Sequence, residues 1–194
     1  MPGVVRTRVG YAGGTTKNPT YYNLGDHTET IQIEYDPTVV SYEELLDVFW
    51  NSHDPTGRPW SRQYMSIVFY HDDEQKRLAL ETRDREAAKL QGTVFTEIVP
   101  FSEFYLAEAY HQKYRLQQVL ALMEDFRAIY PDNNDFVSST AAARINGYVA
   151  GYGTVERFKQ EWNSFGLSSK GKEKLLSIME GFHPGEVIEQ CPIN

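Results

Sequence analysis

The sequence predicts an α+β fold, a two-layer α/β sandwich with a C-terminal helical extension, and three observations predict it. Between residues 3 and 124 the hydrophobic period alternates in the order strand, strand, helix, strand, helix, strand, helix. That order mixes hairpin-type with crossover connections, which suits helices segregated on one face of a sheet better than a doubly wound parallel sheet. From about Ser138 the pattern changes to helices only. The domains are therefore set at residues 1–130 and 131–194, without internal repeats or low-complexity tracts.

The first strand covers residues 3–9, where Val4, Val5, Thr7 and Val9 read as an interior strand. It runs into a Gly10 to Gly14 turn and the polar loop TTKNPTYYNLGDH. In ETIQIEY, Ile31, Ile33 and Tyr35 alternate with Thr30, Gln32 and Glu34, the period of a strand with one buried face, and Asp36-Pro37 ends it. Ser41 and Glu44 form a capping box that opens the helix SYEELLDVFW, with Leu45, Leu46, Phe49 and Trp50 on its apolar face. After the loop HDPTGRPWSRQ, YMSIVFY reads as a strand. Asp72 caps a charged helix over DEQKRLALETRDREAAKLQ, with an apolar stripe at Leu80, Ala87 and Leu90. TVFTEIVPF is a further strand and FYLAEAYHQKYRLQQVLALMEDF a further helix. STAAARINGYVAGYG, TVERFKQEW and SSKGKEKLLSIMEGF make the extension, the last two each opened by a capping hydroxyl.

Composition narrows the function classes. The 194 residues carry a formal charge of −8, opposite to the basic face that a general nucleic-acid binder needs. No apolar run approaches the roughly 20 residues that cross a bilayer. The single cysteine, Cys191, cannot form an intrachain disulfide, and the N-terminus has no secretory pattern, so a reducing, cytoplasmic location is expected.

Three carboxylate-histidine clusters invite a metal reading: HTE at 27–29, HD at 53–54 and HDD at 71–73. Short loop clusters mostly make turns and caps, and the paired cysteines of a structural zinc site are absent, so no metal is expected. The H-x-E of zinc deaminases also lacks its P-C-x-x-C partner here. GYAGG has neither the spacing nor the following Lys of a phosphate cradle, and reads as a turn requiring left-handed backbone. No G-x-S-x-G is present. What remains is aromatic and acidic: Tyr21, Tyr22, Glu29, Trp60, Tyr64 and the YHQKY run at 110–114.

Taken together and in order, VGYAGG, NPTY at 18–21, H-T-E at 27–29, YDP at 35–37, SYEELLDVFW, HDPT at 53–56, RQYMS at 62–66, TEI at 96–98 and FYLAEAYHQKY at 104–114 resemble the peptide-methionine (S)-S-oxide reductase family over about residues 2–115. The tail after 120 is similar to extensions in part of that family. The resemblance implies an enzyme that reduces the S epimer of methionine sulfoxide, free or in proteins, to methionine. In the family a Cys or selenocysteine attacks the sulfoxide sulfur, a Glu gives a proton to the departing oxygen, two tyrosines hold that oxygen and a Phe-Trp pair receives the S-methyl group. The resulting sulfenic or selenenic acid is resolved by thiol. Matched position by position, the resemblance makes Glu29 the proton donor and Tyr21 and Tyr64 the oxygen-binding hydroxyls. A carboxyl enclosed by aromatic rings keeps its proton, as a general acid must. No bound cofactor is implied; the reductant is an external thiol, namely thioredoxin, glutaredoxin or glutathione, and the other partners are methionine-sulfoxide-containing proteins or free methionine sulfoxide.

Two departures from the family pattern stand out. The acidic residue that the family carries shortly before the QY tyrosine is replaced, since GRPWSRQY offers Pro59 or Trp60 instead; Trp60 then serves as an aromatic wall for the substrate. The family also begins with a central strand ending in G-C-F-W-G, or its selenocysteine counterpart, and a helix that leads into a segment like PGVVRTRVGYAGG. The expected fold is thus a ferredoxin-like plait lacking its first strand and helix. Cys191, beside Pro192, is a poor substitute for the nucleophile. Two readings follow: an incompletely translated reductase, in which a selenocysteine UGA codon reads as a stop and translation is assigned from Met1, or a non-catalytic protein that binds methionine sulfoxide or a partner.

Overall fold

The computed structural model describes residues 1–181. Its strands are β1 (Val4–Ala12), β2 (Thr28–Tyr35), β3 (Ile67–Tyr70), β4 (Glu97–Pro100) and β5 (Phe104–Leu106). They form two sheets, one ordered β2-β1-β5 and the other pairing β3 with β4. The mixed order of helices and strands is the α+β arrangement predicted.

The chain divides into two compact units. One comprises Pro2–Val4 and Val9–Glu108, the other Met1, Val5–Arg8 and, among the described residues, 109–181. Leu116, Leu122, Met123 and Phe126 belong to the helical core with Ile145, Phe158 and Leu175.

In the first unit, α1 (Tyr42–Asn51) starts as predicted. The Ser41 hydroxyl accepts the Glu44 amide, and the Glu44 carboxylate takes the Ser41 amide at 2.7 Å, satisfying two free donors of the first turn. Leu46 and Trp50 are buried with Val68 of β3 and Ala79 of α2 (Asp73–Leu90), and Phe49 packs against them. Parallel β3 and β4, with Val68 opposite Ile98, need a crossover, and the 18-residue α2 supplies it. Its buried face is Ala79, Thr82 and Glu86, not the expected stripe of Leu80, Ala87 and Leu90. Arg85 reaches Glu43 and Asp47 of α1, so small residues and ion pairs join the two helices.

Two other expectations give way to tertiary pairing. Residues 104–126 read as one helix, yet Phe104, Tyr105 and Leu106 pair antiparallel with Ala12, Tyr11 and Gly10. β1 correspondingly runs through Gly10 instead of turning there. Gly10 serves close approach: a Cβ at this position collides with the Tyr105 carbonyl oxygen and the Phe104 ring. The left-handed turn residue is Gly13, at φ 81°. The predicted strands around 64–70 and 93–101 shrink to β3 and β4.

The second unit contains α3 (Tyr114–Gln117), α4 (Leu120–Ile129), α5 (Asn133–Ser138), α6 (Thr140–Val149), α7 (Val155–Glu161) and α8 (Ser169–Glu180). Thr154 and Ser168 cap α7 and α8 as predicted. Arg144 and Tyr148 both bond the Glu161 carboxylate. Lys113, in left-handed backbone at φ 51°, breaks the predicted long helix before α3. It is only 5% exposed, and its ammonium donates to the Thr7 carbonyl. Among the described residues, no helix is long and apolar enough to cross a membrane.

Burial, with the Arg8 charge, pushes Lys113 down to about 8 from 10.5. Between those two values the unfolded chain binds more protons than the folded one, so stability rises with pH across that window. Urea unfolding of the parent should gain on the order of 3 kcal/mol between pH 7.5 and 10.5, and Lys113→Met should flatten that rise. Gly10→Ala should cost about 3 kcal/mol in the same assay, whereas a glycine needed only for turn flexibility costs less.

Candidate active site

The loop from Gly13 to His27 is held by its own polar groups. The Asp26 carboxylate accepts the Thr15 and Thr16 amides and both hydroxyls at 2.8–3.0 Å. Those bonds, led by the Thr16 amide, hold its acid well below the usual carboxylate range. His27 is buried; the Gly14 amide donates to Nδ1 at 3.2 Å, which leaves the proton on Nε2 to donate to the Thr16 carbonyl at 2.8 Å. Both ring nitrogens are thus committed to the loop and neither is offered to a metal.

Within this loop Thr20 and Asn23 exchange backbone hydrogen bonds, leaving Tyr21 and Tyr22 at the tip of a turn. The Tyr21 amide donates to the Glu108 carboxylate at 3.0 Å. Its ring meets Tyr22 edge-on and packs on Tyr11, Leu24 and Ala107.

Glu29 is the second residue of β2. Its amide donates to the Gln63 carbonyl at 3.0 Å, and its carboxylate accepts the Gln63 side-chain amide at 2.8 Å. The neighbouring Thr28 hydroxyl donates to the Arg62 carbonyl at 2.9 Å. This tie brings Tyr64 alongside β2. The Glu29 side chain is exposed, so the aromatic enclosure expected from the sequence is not formed by the described residues. Trp60 is 76% exposed and lies over Tyr64, with ring centroids 4.9 Å apart.

Glu29 and Tyr64 line one cavity of about 500 Å³ whose sides are β2 and β3 and whose wall includes Leu45, Leu46 and Phe49 of α1. Tyr21 is not among its lining residues. The Tyr42 hydroxyl, from a residue in this lining, is buried with no hydrogen-bond partner among the described residues, and burial pushes its pKa up to about 12.

A polar chain that the sequence did not disclose reaches the same cavity. His53 Nδ1 donates to the Phe49 carbonyl at 2.9 Å, so Nε2 accepts the Ser66 hydroxyl at 2.8 Å, and Ser66 in turn accepts the Thr96 hydroxyl at 2.9 Å. His53 and Ser66 both line the cavity. The only sequence signal was that HDPT, RQYMS and TEI each contribute one member. The other acidic partners of the histidine clusters act as caps: Asp54 takes the Thr56 amide and hydroxyl, and Asp72 caps α2. Among the described residues no three His, Cys, Asp or Glu side chains converge as a metal site. Cys191 lies outside the described residues.

Comparison with known proteins matches residues 1–142 to the family model for peptide methionine sulfoxide reductase. The chain belongs to the peptide methionine sulfoxide reductase family. Residues 132–180 match a second model, the helical domain of selenoprotein methionine sulfoxide reductase A. The peptide methionine sulfoxide reductase of Drosophila melanogaster is 47% identical over 171 residues, covering 86% of this chain and 67% of that protein. Peptide methionine sulfoxide reductase A5 of Oryza sativa subsp. japonica is 42% identical, covering 77% of this chain and 61% of the rice protein. The solved methionine sulfoxide reductase A of Corynebacterium diphtheriae superposes with a TM-score of 0.53 at 35% identity, over 61% of this chain and 65% of that one. The chain therefore spans about two thirds of the length of these reductase relatives.

Ser66→Ala removes the donor to His53 and the acceptor for Thr96 at once. It should destabilise the chain by about 2 kcal/mol in urea and move the His53 Nε2 resonance toward that of a nitrogen without a donor.

Proposed function

We propose that this chain is the main part of a thiol-dependent reductase of methionine (S)-sulfoxide, free or in proteins. The observation that carries the reading is the tie between β2 and residues 62–64, which brings Glu29 and Tyr64 to one cavity. In this reading a thiolate or selenolate attacks the sulfoxide sulfur. Glu29 delivers a proton to the oxygen, Tyr21 and Tyr64 donate hydrogen bonds to it, and Trp60 walls the substrate. Methionine leaves, and the sulfenic or selenenic acid is returned by two external thiols, which become a disulfide and release water. Thioredoxin, glutaredoxin or glutathione supplies those thiols in a reducing, cytoplasmic compartment.

The sequence holds one thiol, Cys191, and the proposal places the nucleophile on a segment outside the 194 residues. An extended segment seated between β2 and β3 joins the two sheets. It also covers Glu29, withdrawing the carboxyl from water as a general acid requires. The name of the helical-domain family supports selenocysteine as the nucleophile. The lone cysteine equally favours a second reading, in which these residues bind the sulfoxide, or a partner, without reducing it.

Two measurements separate the readings. The nucleotide sequence upstream of the Met1 codon should contain an in-frame TGA or TGC followed by codons for Phe-Trp-Gly; an upstream region without them supports the binding protein. With dithiothreitol, the 194-residue chain should reduce methionine (S)-sulfoxide only when a synthetic peptide ending Gly-Cys-Phe-Trp-Gly is added. Glu29→Gln should then lower that turnover by at least about 100-fold. Unchanged turnover removes Glu29 from the acid role.

A further inference from the structure

One carboxylate outside the proposed acid and oxygen-binding set holds the loop that carries one of them. Glu108 follows β5 and takes a donor on each oxygen. Oε1 accepts the Tyr21 backbone amide at 3.0 Å, and Oε2 accepts the Tyr11 hydroxyl at 2.6 Å. Tyr11 sits on β1 and is 2% exposed, so one end of this brace is fixed in the sheet. The other end is the tip of the turn closed by Thr20 and Asn23. Both bonds are to a carboxylate, the strong and directional kind. A binding hydroxyl carried on a loop is only as well placed as the groups that support the loop.

We infer that Glu108 is a positioning residue: by bracing the Tyr21 amide against Tyr11, it fixes where the Tyr21 hydroxyl meets the sulfoxide oxygen. The inference rests on the reading of Tyr21 above. Its chemistry sets the substitution pattern. A glutamine can keep both bonds, its carbonyl accepting from Tyr21 while its amide donates to the Tyr11 hydroxyl oxygen. An alanine keeps neither.

The 194-residue chain, labelled with 15N and with 13C tyrosine and saturated with an unlabelled peptide ending Gly-Ser-Phe-Trp-Gly, whose serine replaces the nucleophile, is titrated with methionine (S)-sulfoxide in two-dimensional NMR. Glu108→Ala should weaken binding about tenfold, the loss of one hydrogen bond to the ligand, and should broaden the Tyr21 ring signal. Glu108→Gln should restore binding to within about threefold of the parent. In the parent, the Tyr21 amide shift should follow a carboxylate titration that is absent in Glu108→Gln. Should Glu108→Ala lose the folded spectrum, Tyr11→Phe, which keeps the buried ring and cuts only the other end of the brace, decides, and severalfold weaker binding is expected. Equal binding by the parent and the folded brace variants overturns the inference and leaves the function standing. No binding by the parent overturns the reading of the site and the inference with it.

Discussion

The short tie between the start of β2 and residues 62–63 is the interaction on which the candidate site depends. Three hydrogen bonds make it: Glu29 amide to Gln63 carbonyl, Gln63 side chain to Glu29 carboxylate, and Thr28 hydroxyl to Arg62 carbonyl. β2 and β3 belong to different sheets, so ladder pairing does not set their spacing at this point; the tie does. Glu29 and Tyr64 are carried on its two sides. Arg62 extends the tie, bonding Glu97 at the start of β4. Past it, the two strands border the cavity instead of each other.

Histidine supplies the supports on either side of this tie, in one chemical role. His27 joins the glycine turn to the loop before β2, and His53 joins the end of α1 to the segment before β3 through Ser66. Each ring commits both of its nitrogens to hydrogen bonds within the fold. This is why the H-T-E and H-D clusters sit beside the site without forming a metal centre. Their carboxylates bind backbone amides, side-chain amides and hydroxyls, and their imidazoles close loops.

Legibility from sequence followed the range of the interaction. The capping box at Ser41 and the caps at Thr154 and Ser168 are settled within a few residues, and they were readable; the strand over residues 28–35 was readable too, but not its expected buried face, since Ile31 is exposed and Ile33 and Tyr35 are only half-buried. β5 was not, because FYLAEAYHQKY has the propensity of a helix, and pairing with residues 10–12 overrides it. The same long-range pairing explains Gly10, which looked like a turn glycine and is a close-approach glycine. In α2 the buried face was misassigned because contact with α1 selects small Ala79 and Thr82 over the leucines. Tyr21, Glu29 and Tyr64 were proposed through family order, not spacing. The Thr96-Ser66-His53 chain joins positions 30 and 13 residues apart, which no local rule links.

Two strand edges, those of β2 and β3, border the cavity. Natural sheet edges are protected by lysine, proline, bulges or covering elements. β2 reads TETIQIEY, with Glu29 and Glu34 as its charges, and the four-residue β3 reads IVFY, without a charge or a proline. Ile31 on β2 is 56% exposed, and Tyr42 buries a hydroxyl with no partner among the described residues, a cost of about 1–3 kcal/mol. An uncharged β3 edge, the exposed Ile31 and a Tyr42 hydroxyl without a partner among the described residues all border this one cavity. In the reading proposed above, an extended segment of about five or six residues, the usual length of a strand, would pair with these edges and lie over the cavity wall formed by α1.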